Sequence, residues 1–295
     1  AVANGPRPTR TTRRRLLAGG AAVGVAGLAG CLGGRDGPVP APEVTSDRIE
    51  EWRRTDESER AVFAESYGPV TVQALEHTRV FEYAPVADAL AATVDADGSP
   101  VVFFATRIDL RPAVDQLPAE IGRDRILSRV ETAATDAFHG QLRSAGIEDV
   151  EIADEGISTV RSGHTATVWR LTAEYAVDGA VSLPTGSTAD VGGPLQVGAR
   201  LGVWHDGTDV IVAGGAYPTE PLLAVFEESL PDSVDAERAV TELADAETAE
   251  TLAADPAAYD EDVSQLLISV VSAPEFGRPH RFCRSHYNPQ PSPPP

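Results

Sequence analysis

The segment LQVGARLGVWHDGTDVIVAGGAY, residues 195–217, carries the clearest fold signal in the chain. Apolar side chains occupy every second position from Leu195 to Val203, and a continuous apolar run follows from Val210. The residues between them, HDGTD, have the composition of a tight turn. We therefore predict a β-hairpin in a sheet that has one buried and one solvated face.

The residues before this hairpin predict a third strand, because residues 167–177 repeat the alternation, with Trp169 and Tyr175 on the apolar side. The intervening residues 178–194, DGAVSLPTGSTADVGGP, are rich in Gly, Pro and Thr, and we predict a long loop, a feature that is often functional. Trp204 falls on the polar register of its strand. It is therefore a candidate contact residue beside the loop, although cover by a helix or an edge distortion explains it equally well.

A second periodicity, of three and four residues, runs from about residue 124 to 145 and predicts an amphipathic helix. Its apolar stripe consists of Ile126, Leu127, Val130, Ala134, Ala137, Phe138 and Leu142. Gly146 follows where a helix C-terminus favours a left-handed residue. His139 lies beside the stripe, and we interpret it as a partly buried structural residue. One face of this helix must cover a sheet.

Weaker patterns predict the remaining elements. Ser46 is a suitable N-cap for a helix that would continue to Phe63 and end at Gly68-Pro69. Strands are predicted at 70–75, 79–83, 87–94, 101–108 and from 150, with 87–94 and 101–108 paired as a hairpin. C-terminal helices are predicted from Thr219 to Leu230, from Asp235 to Asp255, and from Asp260, which would be the N-cap of the last helix.

These elements predict an α+β fold, an antiparallel sheet packed by one long inserted helix (about 124–145), with C-terminal helices. The predicted organisation along the chain is an export signal with a lipobox (1–31), a flexible linker (32–46), an α+β globular domain (47–230), an acidic helical extension (231–272) and a disordered Pro-rich tail (273–295).

The N-terminal residues predict export and lipid anchoring. Arg13, Arg14 and Arg15 precede a short, weakly apolar run rich in Gly and Ala, the layout of a twin-arginine signal. Leu28-Ala29-Gly30-Cys31 is similar to a lipoprotein cleavage box, so Cys31 is the predicted lipidation site. A retained membrane helix is disfavoured because a span needs about 20 apolar residues. An uncleaved amphipathic or disordered N-terminus is the remaining alternative.

The charge balance indicates a protein that works in a concentrated salt solution. All 24 basic residues are arginine, and there are 45 acidic residues. Without the five arginines of the signal, the net charge is −26. Self-repulsion of this size destabilises a compact state, but at 1 M salt the Debye length is about 3 Å and the repulsion is screened. We predict a halophilic protein; an ordinary acidic secreted protein is the alternative. Nucleic acid is excluded as a partner because it requires clustered basic residues.

The sequence contains no specific catalytic motif. A nucleophile elbow and a phosphate-binding loop are both absent. His280, Cys283 and His286 have a spacing that could chelate zinc, but no fourth ligand is near and the stretch is Pro-rich, so we predict no metal site. With Cys31 lipidated, Cys283 has no disulfide partner. We predict no catalytic residues and no cofactor.

The chain resembles a group of haloarchaeal, twin-arginine-exported lipoproteins of unknown function. The resemblance is carried by Thr12-Arg13-Arg14-Arg15-Leu16-Leu17, by the box ending at Cys31, by residues 210–218 and by Tyr259-Asp260-Glu261-Asp262-Val263. It implies a lipid anchor on the outer face of the cell membrane and supplies no catalytic residues.

Two functions remain open at this stage. The first is a binding or interaction module that uses the wet sheet face and the 178–194 loop to hold an unknown protein or small molecule. The second is an envelope-associated hydrolase with an unrecognised active site. A transporter's solute receptor is disfavoured because alternating βα units are missing.

We expect the melting temperature of the protein to rise steadily between 0.1 M and 3 M KCl, because screening removes repulsion among the excess carboxylates. Circular dichroism melts over this range, repeated in NaCl, measure the effect. A melting temperature that is independent of salt would contradict the halophilic interpretation.

Overall fold

A computed structural model describes residues 37–94, 99–113, 116, 122–182, 188–230 and 235–272. Its elements in chain order are β1 (Pro42–Val44), a 3-10 turn (Asp47–Glu51), β2 (Trp52–Tyr67), β3 (Val70–Tyr83), α1 (Ala84–Val94), β4 (Val102–Arg111), α2 (Arg123–Ser144), β5 (Ile147–Thr159), β6 (Thr165–Ser182), β7 (Thr188–Asp206), β8 (Asp209–Pro218), α3 (Leu222–Ser229), α4 (Ala236–Leu243), α5 (Ala246–Leu252), α6 (Pro256–Ser269) and β9 (Val270–Ser272). Strands β2-β3-β4-β8-β7-β6-β5 form one antiparallel sheet in this spatial order, and β1 pairs with β9. The predicted α+β class is confirmed.

The hairpin of residues 195–217 is confirmed as strands β7 and β8. Asp206 lies opposite Asp209, and Gly207 takes the positive φ of 67° that the two-residue turn requires. The alternating apolar residues from Leu195 to Val203 are all buried. They face α2, as the alternation predicts.

Helix α2 crosses one face of the sheet from edge to edge. Its first turns contact edge strand β2, where Arg129 lies over the ring of Phe63, and its last residue precedes edge strand β5 by two residues. Its 22 residues span about 33 Å, close to the roughly 29 Å occupied by six interstrand gaps. Phe138 packs on Phe104 at 5.3 Å, and Gly146 has a φ of 84°. The predicted inserted helix and its glycine terminus are therefore confirmed.

The opposite face of β7 and β8 is covered by α6, so the prediction of a solvated face is wrong there. All ten residues of β8 are buried. Glycines allow the helix to approach closely: a Cβ added at Gly202 would lie 2.8 Å from Leu267, and one at Gly215 would lie 3.0 Å from Val263. The alternation correctly identified the face toward α2. It could not show that a later helix covers the other side.

An ion pair fixes α6 on this face. Nε and Nη2 of Arg200 donate to the two carboxylate oxygens of Asp260 at 2.6 and 2.8 Å. The prediction that Asp260 is the N-cap of the last helix is therefore wrong. The cap is Asp255, whose side chain accepts from the Ala257 amide at 2.9 Å, and Pro256 follows it.

The predicted helix from Ser46 to Phe63 is wrong beyond its first turn. Ser46 does cap a turn, but it is the 3-10 turn of residues 47–51, and the chain then enters β2. The charged residues of this segment pair across strands, as between Arg53 and Glu82 at 2.7 Å. Cross-strand pairs of opposite charge stabilise an edge strand in this way.

The predicted strand at 87–94 is also wrong, because these residues belong to α1. The segment is rich in alanine and has a proline in its first turn, and both features favour a helix. Its buried residues are Val86, Ala87, Ala89, Leu90, Thr93 and Val94, a helical spacing that the apolar run had obscured. Its predicted partner, residues 101–108, does form a strand, β4.

The predicted loop at 178–194 is largely strand, and this prediction is corrected. Pairing between β6 and β7 extends to Ser182 opposite Thr188, beyond the ends of β5 and β8. Residues 183–187 lie outside the described part. The two-stranded extension packs on α1, since a Cβ added at Gly179 would lie 2.9 Å from Val94. Gly179, one of the glycines that suggested a loop, therefore permits this close packing.

The segments predicted as a linker and as an extension contribute to the same core. Within 32–46, Val39 is buried and residues 42–44 pair with β9. The predicted helix 235–255 is two helices, α4 and α5, because Asp245 caps α5 by accepting from the Thr248 amide at 2.7 Å. Leu252 and Ala236 are buried in the core that the sheet forms. Residues 273–295, predicted as a tail, lie outside the described residues.

The Arg200–Asp260 pair predicts an acid-sensitive step in stability. Hydrogen bonds from Arg200 lower the pKa of Asp260. A carboxyl group with a depressed pKa stabilises the fold above its unfolded value of about 3.9, and this contribution is lost as the pH falls through the folded pKa. We expect Asp260→Asn to lower the free energy of unfolding at pH 6, and the difference from wild type to shrink below about pH 4.

Urea unfolding in 3 M KCl at several pH values between 6 and 3 measures this difference, with Glu261→Gln on the exposed side of α6 as the matched control. A difference that stays constant over this range would contradict an ionic role for Asp260.

Candidate functional site

Trp204, the candidate contact residue, is only 1% exposed. The prediction that it is an exposed contact residue is therefore wrong. It lies on the same face of β7 as Gly202 and Arg200, the face that α6 covers. Cover by a helix, one of the two alternatives for its polar register, is therefore the explanation. Trp169 is half-buried, with its indole Nε1 donating to Glu155 at 3.1 Å.

Several predicted residues lie outside the described part of the chain. They are Arg13, Arg14, Arg15 and Cys31 of the signal and His280, Cys283 and His286 near the C-terminus. Within residues 37–272 as described, no group of three or more His, Cys, Asp or Glu side chains is arranged to hold a metal ion. No helix of that part is both long and apolar enough to cross a membrane.

A serine, a histidine and an aspartate meet at the turn between β5 and β6, but they do not form a catalytic triad. The hydroxyl of Ser162 lies 3.0 Å from Nδ1 of His164, and Oδ1 of Asp206 lies 3.6 Å from the same nitrogen. A triad requires the serine on one ring nitrogen and the carboxylate on the other. Ser162 and His164 are also exposed, and Asp206 is half-buried.

A cavity of about 170 Å³ lies between α2 and the strands β2, β3, β4 and β8. Its residues are Asp56, Ser58, Arg60, Glu76, Thr78, Phe104, Thr106, Ile108, Ala134, Ala137, Phe138, Gln141 and Val212. The space exists because α2 presents two small side chains, Ala134 and Ala137, above the sheet where neighbouring positions carry Phe138 and Leu142. At about 30 Å³ per water molecule, the cavity has the volume of about six waters.

The floor of the cavity carries an unusual set of polar groups. Glu76 is 3% exposed, and its Oε1 accepts a hydrogen bond from Nε of Arg60, whose side chain is 61% exposed. Next to it on β3, the Thr78 hydroxyl lies 2.8 Å from the Thr106 hydroxyl of β4. Burying such groups is unfavourable unless they are hydrogen-bonded, and here each has a partner at the cavity wall.

The other end of the cavity is apolar. The rings of Phe104 and Phe138 lie 5.3 Å apart at 34°. Strand register places Thr106 opposite Thr78 and Ile108 opposite Glu76. Phe104, Thr106 and Ile108 share one face of β4, so the floor changes from aromatic to hydroxyl to carboxylate along the strand over about 13 Å.

Sequence reasoning missed this cavity, although one signal for it was present. Positions 72, 74, 76 and 78 of β3 share the face toward α2, and all four are buried. Val72 and Ala74 are the apolar residues expected there, whereas Glu76 and Thr78 are polar. Polar residues on the buried register of a strand are the kind of exception that marks a site.

A second, more open groove lies at the opposite face, between the 3-10 turn, α1, α5 and α6. It comprises two adjoining depressions of about 440 and 290 Å³. Tyr83 and Tyr259 contact each other there edge to face at 5.7 Å, and burial raises the pKa of Tyr259 to about 12. The surrounding carboxylates, among them Glu247 and Glu250, are exposed. Such carboxylates occur over the whole surface of this acidic chain, so they do not distinguish the groove as a site.

The fold and the cavity define the class of the protein: an α+β domain whose seven-stranded antiparallel sheet encloses a small, partly polar cavity under a helix inserted between two groups of strands. Residues 40–270 match the family described as Domain of unknown function (DUF6517), and the chain belongs to that family. The matched region includes β1 and extends to the first residue of β9. The family unit is therefore the whole fold, including the segments that the sequence suggested were a linker and an extension. No curated protein and no solved structure matches the chain.

Proposed function

We propose that this protein is an extracytoplasmic binding protein that holds a small molecule in the cavity under α2. The observation that carries the proposal is the buried carboxylate of Glu76 on the cavity floor. An interior carboxylate is costly to desolvate, and replacing buried ionic groups by apolar ones is often neutral or stabilising. A role in recognition accounts for its presence beside an open space.

The lining of the cavity supports binding rather than catalysis. It contains no histidine and no cysteine, the side chains that most often act as general base or nucleophile near neutral pH. Seven of the thirteen lining residues are polar and six are apolar, and polar groups that converge beside apolar ones can fix the orientation of a ligand. The site is smaller than a pocket for a drug-sized molecule, so the ligand is small. An envelope-associated hydrolase is the other function that the sequence leaves open, and no feature of the cavity favours it.

We also propose that the domain is exported by the twin-arginine route and anchored through lipid on Cys31 to the outer face of the cell membrane of a halophilic archaeon. The supports are the order of arginines, apolar run and small residues before Cys31, together with the resemblance to haloarchaeal lipoproteins. Twin-arginine export carries folded cargo, which suits a domain whose N-terminal and C-terminal strands pair with each other.

The cavity predicts that enlarging one helix residue will remove binding without unfolding the protein. In Ala137→Leu the added side chain would fill the space above the sheet, so we expect the melting temperature to stay within a few degrees of wild type or to rise. Binding of n-butylamine, n-butanol or butyrate, followed by amide chemical shifts in 3 M KCl, should be lost in this variant.

Thr132→Leu, on the exposed side of α2, is the matched control and should bind as wild type does. Saturable shifts that survive in Ala137→Leu would place the binding elsewhere and contradict the proposed site. If none of the three probes gives saturable shifts in wild type, the proposed function is contradicted.

The anchor predicts a different behaviour for the two cysteines. In a halophilic archaeal host, Cys31→Ser should move the protein from the detergent-rich phase to the aqueous phase on Triton X-114 partition, because the lipid chains are lost. Cys283→Ser should leave partition unchanged. Full retention of Cys31→Ser with membranes would contradict the lipid anchor.

A further inference from the structure

We infer that the cavity under α2 selects a small organic cation, with the charged group beside Glu76 and the apolar body against Phe104 and Phe138. The inference rests on the proposed function, since it names the ligand class of the same site. It follows from the charge of the lining, from the position of Glu76 and from the order of groups along the floor.

The charge of the lining opposes an anion. The ionisable lining residues are Asp56, Arg60 and Glu76, which leave one negative charge in excess. The side chain of Arg60 is 61% exposed, whereas the side chain of Glu76 is 4% exposed. The positive group therefore sits at the mouth of the cavity and the negative group at its floor. An enclosed charge is screened by salt much less than a surface charge. The negative charge at the floor of the cavity therefore still attracts a cation in concentrated salt.

Glu76 has capacity to accept a second donor. A carboxylate offers about four lone-pair sites, and the contact that the described residues give Glu76 is the one from Arg60 to Oε1. The Thr78 and Thr106 hydroxyls next to it each carry an oxygen that accepts hydrogen bonds. An ammonium group has three donors in a compact volume, and this corner of the cavity can satisfy them.

The remaining wall suits the rest of such a ligand. Phe104 lies four residues along the strand direction from Glu76, and its ring and that of Phe138 line the same cavity, so an alkyl chain on a cation held at Glu76 would extend toward ring surface. A neutral apolar molecule would leave the carboxylate and hydroxyls facing it without compensation. An amine with a short alkyl chain matches both ends of the cavity.

Three probes of nearly equal size test the inference: n-butylamine, n-butanol and butyrate, titrated into the full chain in 3 M KCl and followed by amide chemical shifts. For wild type we expect n-butylamine to bind at least tenfold more tightly than n-butanol and butyrate to bind most weakly. In Glu76→Gln this preference should fall to within about twofold. Glu131→Gln, on the exposed face of α2, is the matched control and should retain the full preference.

A second variant, Arg60→Gln, tests the inference independently if Glu76→Gln fails to fold. Arg60→Gln removes the cation that competes for Glu76, so n-butylamine binding should strengthen several-fold while n-butanol binding stays unchanged. Equal binding of amine and alcohol by wild type, with both lost in Ala137→Leu, would overturn the cation inference and leave the proposed function standing. Absence of saturable binding by all three probes would overturn both.

Discussion

The close approach of α6 to a glycine surface on β7 and β8 is the contact on which the rest of the structure depends. Side chains at Gly202 or Gly215 would collide with Leu267 or Val263, so small residues here set the distance between helix and sheet. With α6 in place, the central strand β8 is buried on both faces. The Arg200–Asp260 pair then fixes the position of the helix with two hydrogen bonds, since a bidentate guanidinium–carboxylate contact is directional as well as attractive.

The buried charges of the sheet include the Arg107–Asp209 ion pair and the carboxylate of Glu76. Their surroundings indicate a structural role for the first and a binding role for the second. Arg107 and Asp209 form an ion pair at 2.6 Å, with side chains 2% and 5% exposed, on the face that residues 37–44 and β9 cover. There both charges lie inside the protein and neutralise each other. Glu76 lies on the other face, beside an open cavity, and its partner Arg60 reaches the surface. A buried charge next to a void has the stronger claim to a role in recognition.

Local patterns allowed the central elements to be predicted and failed where distant parts of the chain decide the structure. The 195–217 hairpin, α2 and its terminal Gly146 depend on period and turn chemistry, which a short window contains. Residues 52–67 could not be identified as a strand because their charges are compensated by β3, and Trp204 could not be placed inside because its cover, α6, lies more than fifty residues later in the chain. The cavity was missed for a related reason. Glu76 and Thr78 are unusual only once it is known that α2 packs over that register.

The pairing of β1 with β9 has a topological consequence. Pro42 lies opposite Ser272, and opposed residues in an antiparallel pair have Cα atoms about 5 Å apart. The folded unit therefore begins and ends at one point, with all of its sheet and helices between. A unit with adjacent ends can be inserted into a loop of another protein, or permuted to start at one of its own turns, with only short connections. A host chain could therefore enter and leave the unit at almost the same position, with its own path nearly unchanged.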